Sequence, residues 1–295
     1  MAYDSILVHL DGNPQSSRRL HLAGRLASAA GCPLIGLLAG RVPDPGWSYR
    51  MDNAQRCLAE DQERRRLQRE DMHCAFEAAT RELGVVADWR AVDRDPVTLA
   101  LREAREAGLI VSGQYDGDNV EGPVARQLLE ALLLESGRPT LVVPCAGEFS
   151  TIGTRVLLAW NGSREAARAL HDALPLLAGA QVRMLGAHTP AKELRADATP
   201  VSHAQRVLER QGASVEVEHG PGGADLTIGE LILSRAADFG ADLTIGELIL
   251  SRAADFGADL IVMGAYGHGR LRELVLGGVT RVLLQSMTVP VLFSH

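Results

Sequence analysis

Two doubly wound α/β sheets in tandem, each of five parallel strands in the order 3-2-1-4-5, are the architecture this sequence predicts. Three observations lead there. Short apolar runs alternate with helical stretches along the whole chain. The alternation then restarts: the run Arg155 to Trp160 ends in Asn161-Gly162-Ser163 much as Ser5 to Leu10 ends in Asp11-Gly12-Asn13. Near the C-terminus an apolar run stops at a glycine-rich connection that leads into a helix. The expected domains are 1–147 and 153–295, with residues 147–153 as linker.

The first half opens on a strand over Ser5 to Leu10. Ser16 or Ser17 is placed to cap a helix reaching about Ala30, with Leu22, Ala23, Leu26, Ala27 and Ala30 inward. A second strand covers Pro33 to Leu38. From about Asn53 to Leu83 a long, heavily charged helix carries a thin apolar stripe of Leu67, Phe76, Ala79 and Leu83. Val85 to Val92 reads as a third strand, Pro96 to Ala107 as a helix and Leu109 to Ser112 as a fourth strand. A helix over about Pro123 to Glu135 leads to the fifth strand, Thr140 to Val143, flanked by prolines in a way that suits a sheet edge.

In the second half the first strand is followed by a helix with Ala167, Leu170, Leu174 and Leu177 on one face. Val182 to Ala187 and Val215 to Glu218 are the next strands, and Leu260 to Met263 is the fourth. Between the last two lies an exact duplication: residues 224–240 recur unchanged as 241–257. Each unit is an amphipathic helix; in the second copy Ile245, Leu248, Ile249, Ala253 and Phe256 form the stripe, with Glu247, Arg252 and Asp255 outside. Gly246 within it costs about 1 kcal/mol against alanine. One copy suffices to join the strands. The second abuts the fourth strand and is the natural occupant; the first either adds a surface helix or competes for the same place.

The connection after the fourth strand carries the chemistry. Gly264 and Gly267 allow tight turns and close backbone approach, and Gly277-Gly278 opens a helix whose expected buried stripe is Val279, Val282 and Leu283. Bare N–H groups at a helix start favour an anion, and phosphate is the obvious one. The spacing Gly264, two residues, Gly267, nine residues, Gly277 resembles the nucleotide loop of the universal stress protein family, G-2x-G-9x-G-[S/T]. The resemblance extends through Thr288 to Leu292, where that family has its last strand, and tandem domains are one of its arrangements. It implies a Rossmann-like, adenine nucleotide alpha-hydrolase-like fold and an ATP site, with or without magnesium. The residues it would draw on are Asn161, Gly162, Ser163 and Ala187, then Met263, Gly264, Gly267, His268 and Gly269, and finally Gly277, Gly278, Val279 and Thr280. Two departures stand out. Gly278 replaces the family's Ser or Thr, and Asn161 replaces the Asp that accepts from ribose, which loses charge-assisted strength. In the first half Asp11 matches that acid. There, however, Asp116, Asp118 and Glu121 replace the glycine loop and would repel phosphate, and Pro123 removes a donor.

Composition narrows the alternatives. The 295 residues carry 30 basic and 37 acidic side chains, and the densest basic cluster, Arg64-Arg65-Arg66, sits among acids, which argues against nucleic acid as partner. No apolar run reaches spanning length and no signal-peptide pattern opens the chain, so a cytoplasmic protein without membrane contact is expected. Four cysteines without C-x-x-C spacing are expected to be reduced. No P-loop, dinucleotide fingerprint or nucleophile elbow appears. The resemblance implies adenine-nucleotide binding or sensing in the stress response, in a chain whose halves form a pseudo-dimer and which can also homodimerise. The alternatives are an interaction module that binds no nucleotide and a slow ATP-hydrolysing enzyme.

Overall fold

The computed structural model describes residues 2–11, 13–39, 54–92, 95–115, 122–149, 151–186, 200–218, 245–265 and 278–295. It divides into two compact units, residues 2–132 and 133–295. In the first, β1 (Ile6–Leu10), β2 (Leu34–Ala39), β3 (Ala87–Val92) and β4 (Leu109–Gly113) form a parallel sheet in the order β3-β2-β1-β4. The connecting helices are α1 (Pro14–Ala30), α2 (Ala54–Leu83) and α3 (Pro96–Ala104), and α4 (Gly122–Glu135) follows β4. Leu7, Ile35, Leu37 and Ile110 of the strands pack with Ala100, Leu101 and Ala104 of α3 and with Leu128 and Leu132 of α4.

The second unit holds β5 (Thr140–Val143), β6 (Arg155–Trp160), β7 (Gln181–Gly186), β8 (Ser214–Glu218), β9 (Leu260–Gly264) and β10 (Val291–Ser294). The order β8-β7-β6-β9-β10 is parallel throughout, and β5 joins β10 antiparallel with Val142 opposite Val291. Its helices are α5 (Arg164–Ala173), α6 (Val201–Arg210), α7 (Ile245–Phe256) and α8 (Gly278–Ser286). Helix α7, which leads into β9, is therefore made by the second copy of the duplicated segment. The first copy, 224–240, lies outside the described residues.

Several helix faces differ from the periodicity reading. Helix α1 begins right after Asn13, which holds the N-cap position without a side-chain capping bond, rather than at Ser16 or Ser17, because Pro14 takes the first helical position, where its fixed φ fits and its missing N–H is no loss. Helix α5 ends at Ala173 and passes into a short 3-10 turn, Leu174–Leu176, because Pro175 cannot continue an α-helix. Its buried face is consequently Ala166, Ala169, Leu170 and Ala173, not the line through Leu174. Leu67 stands 48% exposed on α2 while Phe76 and Ala79 are buried, since that helix touches the sheet only along its C-terminal part. In α8 the buried residues are Thr280, Leu283 and Leu284 rather than Val279 and Val282. Arg252, expected outside, is buried and meets Glu218 of β8 at 2.7 Å, an ionic contact more than a well-directed hydrogen bond.

The glycine inside α7 has a structural reason. A Cβ on Gly246 would lie 2.7 Å from Cβ of Val282 in α8, so glycine is what lets the two helices approach.

Candidate functional site

Parallel α/β sheets take ligands beyond the carboxyl ends of their strands, where the strand order reverses. In the second unit that place lies between β6 and β9, which run side by side with Ala159 opposite Met263. Beyond Trp160 the exposed Asn161 accepts a bond from the backbone N–H of Ser163 at 3.1 Å, a turn closed by a side chain. Gly162 takes φ +73°, a region open to glycine, and so brings Ser163 to the start of α5. Ser163 caps that helix, its hydroxyl accepting from Ala166 N–H at 3.2 Å. Glu165 in the first turn would be raised by burial alone. Bonds from its own backbone N–H, from Ser163 and from Arg164 outweigh that and hold it below the ordinary carboxylate value.

The end of β9 is pressed against this same turn. A Cβ on Gly264 would stand 2.6 Å from the Glu165 carbonyl carbon and 2.7 Å from Ala166 N, so only glycine permits the contact. The residue that follows, Ala265, donates its N–H to the Ser294 carbonyl at 2.7 Å. Residues 266–277 lie outside the described residues, and with them Gly267, His268, Gly269 and Gly277; Ala187 does as well. The chain re-enters at Gly278, the first residue of α8, exposed and, among the described residues beyond its chain neighbours and its own helix, with no atom within 4 Å of where a Cβ would stand. Thr280, 2% exposed, shares the inward face with Leu283, so its hydroxyl does not take the outward place of the missing one at Gly278.

Thus the structure gathers Asn161, Gly162, Ser163, Met263 and Gly264 at one switch point. It sets Gly278, Val279 and Thr280 at the head of the helix that closes the connection.

The corresponding place in the first unit, between β1 and β4, is filled. Arg19 of α1, 3% exposed, donates Nε to the His9 carbonyl at 2.7 Å and Nη2 to Asp11 Oδ1 at 3.0 Å. Ser16 adds a second acceptor for Nη2 and itself donates to Asp11. A Cβ on Gly113, the last residue of β4, would collide with Arg19 Nη1, so this glycine makes room for the guanidinium. Burial alone would raise the Asp11 carboxyl; Arg19 foremost, then His9, Ser16 and the Asn13 N–H, hold it far below the usual carboxylate range. Burial also pushes the His9 imidazole down, so it is neutral at pH 7; its Nε2 lies 3.4 Å from the Ala39 carbonyl. Arg19 escaped the sequence reading. The signal available was an arginine in the second turn of the helix that follows Asp11, on the same side as Leu22 and Ala23, which were expected inward. Asp116, Asp118 and Glu121 lie outside the described residues.

Among the described residues no cluster of His, Cys, Asp or Glu could hold a metal ion, and no helix is long and apolar enough to cross a membrane. Among the described residues Cys32, Cys74 and Cys145 form no disulfide.

A strand order that reverses between β6 and β9, and between β1 and β4 in the first unit, defines a doubly wound α/β protein. The family it falls in is plain: the model of the universal stress protein family matches residues 2–144 and again 154–295, and the chain belongs to that family as a two-domain member. A curated relative, universal stress protein Slr1230 of Synechocystis, is 30% identical over 166 residues, 56% of this chain and about half (49%) of its own length. Among solved structures, a universal stress protein from Archaeoglobus fulgidus superposes with a TM-score of 0.66 at 18% identity, covering 98% of this chain and 95% of its own. Protein PA1789 of Pseudomonas aeruginosa gives 0.55 at 18% identity over 99% and 92%. At these identities the likeness is one of fold.

Proposed function

We propose that the second half binds an adenine nucleotide, ATP in the first instance, beyond the carboxyl ends of β6 and β9, and that the first half binds none. The observation that carries this reading is the contrast at the two switch points. One is filled by a buried arginine. The other is bordered by an exposed Asn161 and a close-packed Gly264, and the connection leaving it leads into α8 at Gly278, where no described side chain stands within 4 Å of a Cβ position. Backbone N–H groups of 267–269 and 277–280 would hold the phosphates, helped by the helix dipole, and Asn161 to Ser163 would face the ribose. Lacking the hydroxyl at 278 and the acid at 161, such a site binds weakly, which suits a sensor of nucleotide level in the stress response better than a fast enzyme. Magnesium with the nucleotide belongs to the same proposal.

Titration calorimetry tests it. ATP is expected to bind at one per chain, to be lost in Gly277→Val, where a side chain blocks phosphate approach, and to keep its stoichiometry in Asp11→Ala. Wild-type affinity in Gly277→Val, or two nucleotides per chain, overturns the reading. A nucleotide-free interaction module is the second reading, and the commitment of Asn161 Oδ1 to its own turn favours it. Mass spectrometry of small molecules released when the purified protein is denatured separates the two.

A further inference from the structure

Helix α7 sits in a slot whose walls read individual side chains. Gly246 is forced by Val282 of α8. Leu248, Ile249, Ala253 and Phe256 are buried, and the Phe256 ring lies under two guanidinium groups, Arg155 at 4.6 Å and Arg183 at 4.3 Å. Arg252, 9% exposed, pairs with Glu218. The exit is read too: Gly257 takes φ +64°, and Ala258 donates its N–H to Ala253 at 2.8 Å.

Every one of these features occurs twice. Residues 223–243 reproduce 240–260 without a change, so Gly229, Leu231, Ile232, Arg235, Ala236 and Phe239, with Gly240 and Ala241 after them, carry the same groups at the same spacing. We propose that the slot has two interchangeable occupants within one chain, 228–239 and 245–256, and that the protein exchanges between two registers displaced by 17 residues.

The geometry limits the exchange to the helix. If β9 shifted as well, Gly246 and Glu247 would come to the places of Met263 and Gly264. The latter place has the Glu165 carbonyl carbon 2.6 Å from any Cβ, and Glu247 cannot stand there. Strand β9 therefore stays; Asp259, whose carboxylate accepts from the N–H groups of Gly153, Thr154 and Arg155 at 2.9–3.1 Å, has its own copy in Asp242 and does not decide between the registers. What moves is the spare length of chain, before the helix in one register and after it in the other.

Reach is no obstacle. With the first copy in the slot, residues 219–227 join β8 to the helix, and nine residues span up to about 30 Å. The first unit makes the same crossover, β3 to α3, with residues 93–95 alone. The helix contacts are identical in both registers and closure entropy varies slowly with loop length, so neither register is strongly favoured.

Three variants of the full chain decide the matter by thermal unfolding. Gly246→Val and Gly229→Val are each expected to leave Tm within about 2 °C of the parent, because the copy that keeps its glycine takes the slot. The double variant is expected to lose roughly 5–10 °C, the usual consequence of overpacking in a domain of this size. Hydrogen exchange read by mass spectrometry gives a direct check, since the substitution makes the two copies distinguishable by mass. Protection should follow the unsubstituted copy. A Gly246→Val chain that fails to fold, or melts as low as the double variant, overturns the proposal. So does a double variant as stable as the parent, or protection that stays on 241–257 in Gly246→Val.

Discussion

The two switch points are built from nearly the same backbone and come out opposite in chemistry. Strand β4 reads Leu109-Ile110-Val111-Ser112-Gly113 and strand β9 reads Leu260-Ile261-Val262-Met263-Gly264. Each ends in a glycine that a helix presses upon. At Gly113 the intruder is the Arg19 guanidinium, brought by α1 and neutralised by Asp11. At Gly264 it is the backbone of Glu165 and Ala166, so α5 itself closes up to the strand. Counting from the ends of β1 and β6, Ala169, buried and small, stands where the first half has Arg19. One exchange, a long cation for a methyl group, thus separates a crevice occupied from within from one bordered by exposed polar residues.

The largest effect expected from this contrast follows removal of the cation. Arg19→Ala leaves Asp11 beside β1 without its partner, and breaking a buried pair from one side costs about 3–5 kcal/mol. The matching change in the second half, Ala169→Gly, removes only a methyl group and is expected to cost about 1 kcal/mol. Urea denaturation of both variants measures the gap; equal losses would mean that Arg19 does not hold the first half together.

Acid sharpens the comparison next. His9 is kept neutral by the fold while the unfolded chain binds a proton below its ordinary value of about 6.5. The unfolded state therefore takes up more protons, and stability falls as pH drops through that value, by at most about 1.4 kcal/mol per pH unit. Asp11 acts in the same direction lower down. Its depressed folded pKa contributes stability that is complete above the unfolded value near 3.9 and is lost as pH falls further. Tm measured from pH 7 to 5 should decline in the parent and flatten in His9→Gln. An unchanged slope would remove His9 from the account.

The smallest effect lies at the two helix caps. Ser163 bonds Ala166 N–H, whereas Asn13 makes no side-chain capping bond to α1. Ser163→Ala should cost about 1 kcal/mol and Asn13→Ala distinctly less, as read by denaturant midpoints.

Much of this protein was legible in the sequence because its information is local. Alternating apolar runs located the strands, the restart at Arg155 disclosed the tandem, and the glycine spacing pointed to the family. Identity at an offset of 17 residues was visible without any coordinates. Where local rules collided the reading slipped: Pro175 ended α5 before Leu174 could join its face, and Pro14 took the cap from Ser16.

What only the tertiary structure decided concerns groups whose partners come from elsewhere in the chain. Arg19 on a helix reads as solvated charge until β1 supplies a carbonyl and Asp11, and β4 supplies a glycine with room above it. Arg252 reads as an outer residue until β8 brings Glu218 beside it, and Gly246 reads as a weak point until Val282 arrives. Leu67 reads as core on periodicity alone and is exposed because α2 outruns the sheet it packs on. Periodicity states which face of a helix is apolar. Whether a charge on that helix is buried depends on desolvation against the partners that meet it, and those partners are set by packing across the fold.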